Sequence, residues 1–169
     1  MFARRQRTLF IPLVLAAVVL LIGCGGGGDK EGKMAENHPA SPGVVIPKPA
    51  DATQVDVALR EWAVAPAQSS VKAGKVYFLA ENAGPEHPHE LVIVRTNLGP
   101  LDLPFQNNKV NEDKLDVVDE IEEFAPRSSA SLSVDLTPGK YLLICNITEE
   151  DKQIGSHYKK GMVAAFTVE

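Results

Sequence analysis

The sequence predicts an all-β protein, an antiparallel β-sandwich, and three observations carry that expectation. Apolar residues recur with a period of two rather than 3.6 through most of residues 51–169. Gly and Pro turn signals punctuate the alternating runs, as at Thr137-Pro138-Gly139 between Leu136 and Lys140. No stretch has the length and apolar stripe of a long amphipathic helix.

Ahead of that domain, MFARRQRTLFIPLVLAAVVLLIGC reads as an export signal: Arg4, Arg5 and Arg7 form a basic head and an apolar run follows from Leu9 to Ile22. That run is 14 residues, shorter than the ~20 a spanning helix needs, so a removed signal is expected rather than a permanent anchor. The closing Leu-Ile-Gly-Cys resembles the lipobox of bacterial lipoproteins, which implies lipidation at Cys24 and an exported domain anchored to a bacterial membrane. Removing residues 1–23 takes away three of 17 basic residues and no acidic ones; the remaining 14 against 22 give a formal charge of -8. That balance argues against a nucleic-acid partner, since polyanions require a basic face. Residues 24–50, the lipidated cysteine and a Gly- and Pro-rich stretch that contains His38, read as a flexible tether in which the histidine is solvated.

Residues 51–169 are of a size for one domain. Its expected strands are QVDVALREWAV (54–64), KVYFLAEN (75–82), HELVIVRT (89–96), ASLSVDL (130–136), KYLLICNI (140–147) and MVAAFTVE (162–169). Residues 97–129 are less regular, with one further strand expected within LDVVDEIEEFAP. Trp62, Tyr77, Phe78 and Phe166 read as core aromatics. Seven carboxylates against one lysine in NEDKLDVVDEIEE (111–123) read as a solvated face or as a docking face for a basic redox partner.

With Cys24 consumed by lipid, Cys145 has no intramolecular partner in a compartment where cysteines usually pair. Alternation offers an explanation, because successive side chains of a strand point to opposite faces. Tyr141, Leu143 and Cys145 share one face of their strand, and His89, Leu91 and Ile93 share one face of theirs. Cys145 therefore ends a strand where His89 begins one, and the two meet at one rim of the sandwich. His157 and Met162 arrive from the segment between the last two strands. His87, two residues before His89, shares its face and is a rival first ligand, with Pro88 between them. Two imidazoles, a thiolate and a thioether favour copper over zinc, because zinc seldom takes a thioether.

At these residues the chain resembles the cupredoxins, in particular exported bacterial members. The resemblance rests on Asn82-Ala83-Gly84, His89-Glu90-Leu91-Val92, Tyr141 through Cys145-Asn146-Ile147, His157-Tyr158, Gly161-Met162 and Phe166-Thr167-Val168, and covers nearly all of residues 54–169. It implies a Greek-key β-sandwich with one mononuclear copper, and His89, Cys145, His157 and Met162 at the ligand positions. It also favours His89 over His87. Two departures stand out. Eleven residues, NITEEDKQIGS, separate Cys145 from His157, where the family usually has two to four. The longer loop adds about 0.9 kcal/mol of closure entropy, small against the roughly 10 kcal/mol of a structural metal site. The second departure is Glu90, where many members carry Asn.

The sequence contains no nucleophile paired with a base, no phosphate-cradling glycine loop and no zinc-hydrolase spacing, so a non-enzymatic role is expected. That role is a membrane-tethered one-electron carrier in the cell envelope, monomeric, with His157 on an exposed loop as the point of electron entry. The alternatives are copper storage, delivery or sensing for a copper-requiring envelope protein, helped by a loose and wet insertion, and a non-redox docking module.

Overall fold

The computed structural model describes residues 41–169. The signal segment 1–23, Cys24, residues 25–40 of the tether and His38 lie outside the described residues. Among the described residues there are eleven strands: β1 (Thr53–Arg60), β2 (Ala63–Pro66), β3 (Ser70–Val71), β4 (Gly74–Asn82), β5 (His89–Arg95), β6 (Phe105–Gln106), β7 (Lys109–Val110), β8 (Asp116–Phe124), β9 (Ser129–Leu136), β10 (Gly139–Ile144) and β11 (Val163–Val168). One short helix, α1 (His157–Lys160), precedes β11, and a 3-10 turn at Glu112–Lys114 precedes β8.

The strands form a sandwich of two sheets, ordered β2-β1-β4-β9 and β3-β11-β10-β5-β8, with β6 and β7 as a separate small hairpin. The chain passes from one sheet to the other between β2 and β3, β3 and β4, β4 and β5, β8 and β9, and β9 and β10, which is the Greek-key habit. Most ladders are antiparallel, but β1 runs parallel to β4 and β3 parallel to β11. The expected strand 54–64 is two strands: Glu61-Trp62 reverses the chain so that Arg60 pairs with Ala63 and Val57 with Pro66. Alternation continues through that two-residue turn, and neither residue is a Gly or Pro that would have marked it.

The inward faces of both sheets share one core, built from Val55, Val57, Leu59, Val76, Phe78 and Ala80 on one side and Leu91, Ile93, Tyr141, Leu143 and Phe166 on the other. Phe78 and Phe166 meet across it with ring centroids 5.8 Å apart. Tyr77 and Phe78 are buried as well, whereas Trp62 is partly buried against the same core. The register places Leu143 beside Ile93, so the faces assigned from alternation do coincide. A second cluster, Val92, Val94, Leu142 and Ile144 with Leu103, Val110 and Tyr158, covers the outer face of β5 and β10. The irregular segment 97–115 is thus a cover, and it accounts for the nearly unbroken apolar runs of these two strands: both their faces are buried.

Two edges are handled differently. β8 ends its sheet, and its Asp116, Asp119, Glu120, Glu122 and Glu123 are exposed, a charged edge of the kind that discourages pairing with another chain. β9 ends the other sheet and is covered by residues expected to be tether: Ser131 N donates to Val44 O at 2.9 Å and Ala125 N to Ser41 O at 3.0 Å. Gly43 lies so close to the Ser129 backbone that a Cβ would collide with the Ser129 carbonyl oxygen. At the opposite turn, Tyr141 Oη donates to Thr137 O at 2.8 Å, pinning the entry to β10.

Phe78 is fully buried, so Phe78→Ala is expected to lower unfolding free energy by about 3–5 kcal/mol. Denaturant titration measures it, and a loss under about 1 kcal/mol would mean the two sheets do not share this core.

Candidate metal centre

The register that pairs Ile144 with Val92 brings the end of β10 beside the start of β5. Cys145 follows β10 directly and His89 opens β5. Three backbone bonds then bring in the remaining segment. Cys145 N donates to Met162 O at 3.1 Å, Met162 N to His157 O at 3.1 Å, and His157 N to Ile147 O at 3.0 Å. α1 is short because it is capped at both ends. Ser156 Oγ accepts from Lys159 N, and Gly161, at φ 114°, closes the C-terminus in the left-handed region that glycine tolerates.

As a result His89, Cys145 and His157 each present one donor atom, all within 4.8 Å of one another, and all three are buried. Cys145 Sγ lies 3.4 Å from His157 Nδ1 and 3.9 Å from His89 Nδ1. Both rings thus turn the same nitrogen toward the sulfur, with centroids 5.3 Å apart. Met162 is fully buried and bonded through its backbone to both Cys145 and His157. His87 stands apart from the triad: its Nδ1 is 2.8 Å from Glu149 Oε1 and its side chain is 18% exposed.

The donor chemistry fits a cation. Burial, with Glu90 nearby, pushes the Cys145 thiol well above its ordinary range. Burial, then the neighbouring His157, lowers His89 to about 4. His157 is lowered too, by burial and against the pull of Glu149. Both imidazoles are therefore neutral at pH 7, with lone pairs to give, and a bound cation offsets the cost of a buried thiolate. His89 Nε2 is buried without a partner, so the ring's polar contact is directed through Nδ1 at Cys145.

Two carboxylates and two amide side chains hold the rim in place. Glu90 Oε1 accepts from Asn146 N at 2.7 Å, which fastens the residue after Cys145 to the strand that begins with His89. Burial raises Glu90 to about 8 despite that bond, helped by Glu112, Glu120 and Glu123. Asn146 in turn bonds Val110, its Oδ1 accepting from Val110 N at 2.7 Å. Asn82 Nδ2 donates to His87 O at 2.9 Å and to Phe124 O at 3.2 Å, while its Oδ1 accepts from Gly84 N at 3.1 Å. Glu61 Oε1 accepts from His87 N at 2.9 Å and Glu86 N at 3.2 Å. A Cβ at Gly84 would meet the Glu61 carboxylate at 2.5 Å, so a larger residue there would push that carboxylate off the His87 and Glu86 amides.

One expectation is corrected here. His157 is not exposed; its accessibility is 0%. Trp62 covers it with ring centroids 4.8 Å apart, and Glu149 Oε1 sits 3.0 Å from its Nε2. The insertion is hydrogen-bonded within itself. Thr148 and Ser156 form a β-bridge, Glu149 N donates to Gly155 O at 3.1 Å, and Ile154 N and Gly155 N both donate to Asp151 O, at 2.9 and 2.7 Å. Glu149 and Glu61 went unnoticed in the sequence because a carboxylate in a polar loop or turn is ordinary. Glu90 had a signal, a carboxyl group inside an apolar strand.

Removing the Glu90 side chain leaves Asn146 N without its acceptor. Glu90→Ala is expected to cost about 1–3 kcal/mol of stability and Glu90→Gln under about 1 kcal/mol; equal losses in denaturant titrations would contradict this role for the side chain.

A scan against protein-family models returns no match for this sequence, and a search of curated proteins returns none either. Solved structures do match. One is a dithionite-reduced auracyanin from the photosynthetic bacterium Roseiflexus castenholzii, 18% identical, with a TM-score of 0.52, covering 70% of this chain and 98% of that one. Another is the copper protein rusticyanin, 18% identical, with a TM-score of 0.50, covering 77% of this chain and 88% of that one. Both are cupredoxins, and the chain described here has the cupredoxin fold. Among the described residues no helix is long and apolar enough to cross a membrane.

Proposed function

We propose that this protein is an exported, membrane-tethered mononuclear copper protein that carries single electrons in the cell envelope, as a monomer and without enzymatic activity. The observation that carries the reading is the burial of His89, Cys145 and His157 with donor atoms within 4.8 Å of one another, at the rim of a cupredoxin sandwich. His89 and His157 would hold copper through neutral Nδ1 donors, Cys145 through its thiolate and Met162 through its thioether. Copper held by such a set supplies a one-electron Cu(I)/Cu(II) couple, soft sulfur suiting Cu(I) and imidazole suiting both states.

The chain's own contribution is rigidity. The bonds joining Cys145, Met162, His157 and Ile147, with Glu90 on Asn146, hold the donors in one arrangement whether or not charge changes at the metal. Little rearrangement is what a carrier needs. The closed insertion favours retention over release, and so supports carriage rather than delivery. With His157 buried, a redox partner meets its cover, where Trp62 and His87 are partly exposed and their rings lie 5.0 Å apart. Lipid at Cys24 would keep the domain within reach of membrane-bound partners.

Adding Cu(II) to the protein is expected to give uptake of a single equivalent with an intense visible band from thiolate-to-copper charge transfer. Cys145→Ala should abolish the band, and a strong competing chelator should withdraw the metal slowly from the unaltered protein. A preparation that stays colourless with no stoichiometric uptake contradicts the reading.

A further inference from the structure

The 11 residues between Cys145 and His157 do more than lengthen a loop. They place Glu149 over His157. Its Oε1 is 3.0 Å from His157 Nε2 and 2.8 Å from His87 Nδ1, so one oxygen joins a ring of the donor triad to a ring outside it. Glu149 is only 24% exposed, and His157 Nε2 has this carboxylate as its hydrogen-bond partner in a residue with no exposure. Its backbone is fixed as well: Glu149 N donates to Gly155 O at 3.1 Å, and next door Thr148 Oγ1 donates to Asn108 O at 2.8 Å.

A carboxylate accepts and does not donate. Both ring nitrogens facing Glu149 must therefore carry hydrogen, which puts the proton of neutral His157 on Nε2 and leaves the Nδ1 lone pair facing Cys145 Sγ at 3.4 Å. We infer that Glu149 is a positioning residue that holds His157 in the Nε2–H tautomer and, by accepting that hydrogen bond, strengthens Nδ1 as a donor to the metal. His87, donating to the same oxygen, keeps the carboxylate turned inward. The metal half of this inference rests on the copper reading above; the tautomer half does not. An imidazole that gives its outer N–H to a carboxylate is a better base, which favours Cu(II) over Cu(I) and lowers the reduction potential.

Two measurements on the full chain test it. In metal-free protein, imidazole ¹⁵N shifts of His157 should report the Nε2–H tautomer, and Glu149→Ala should shift the ring toward a mixture. A dominant Nδ1–H form in the unaltered protein, or a spectrum unmoved by Glu149→Ala, overturns the inference whether or not copper binds. In copper-loaded protein, Glu149→Gln, which keeps an acceptor without the charge, should weaken Cu(II) binding by about tenfold and Glu149→Ala by up to about 100-fold. The potential should rise by about 59 mV for each tenfold loss of Cu(II) affinity relative to Cu(I). Glu150→Gln removes the same charge from an exposed neighbour and should change neither quantity. If Glu149→Gln and Glu149→Ala merely track Glu150→Gln, the positioning role is wrong; if the unaltered protein takes up no copper, it is the copper reading that fails.

Discussion

Three backbone bonds determine what this end of the sandwich can be: Cys145 N to Met162 O, Met162 N to His157 O, and His157 N to Ile147 O. They tie the end of β10, just before Cys145, to the helix that starts at His157 and to the strand that follows Met162. Without them the 11-residue insertion would leave the second imidazole free to sample a wide volume. With them, a sulfur and two ring nitrogens lie within 4.8 Å of one another, although their residues come from three separate parts of the chain.

The sandwich provides the platform for that weave. Pairing of β10 with β5 sets Ile144 opposite Val92 and Leu143 opposite Ile93, so the next residues beyond the strand ends arrive at the same rim. Both strands are held from two sides, by the main core on one face and by the 97–115 cover on the other. Tyr158 belongs to that outer cluster, and its hydroxyl accepts from Leu103 N at 3.3 Å. The helix carrying His157 is thereby anchored in apolar packing as well as by backbone bonds, which is why its donor nitrogen has a fixed direction.

Much of this was legible in the residues themselves. Period-two alternation and turn signals located β4, β5, β9, β10 and β11, and put Leu91 with Ile93 and Tyr141 with Leu143 on one face of their own strands, faces that the structure packs into one core. The unpaired Cys145 pointed to its histidine neighbours through ligand chemistry. Other features were not legible because they are decided by contacts distant in sequence. β3, β6 and β7 are two-residue strands, too short for any period to register. The hairpin at Glu61-Trp62 lacks Gly and Pro. Polar composition suggested an exposed His157 and left the order of the insertion open; in the structure Asp151 O satisfies two of the loop's amides and Thr148 reaches Asn108 O. Local composition cannot anticipate bonds of that kind, and so it could not reveal that Glu149 and Trp62 would close over the ring.

The donor arrangement is the core of the account, and diffraction from crystals of copper-loaded protein, collected at the copper absorption edge, tests it most directly. The account predicts a single anomalous peak bounded by His89 Nδ1, Cys145 Sγ and His157 Nδ1. A peak that excludes Cys145, or one seated between His87 and Glu149 instead, would contradict it.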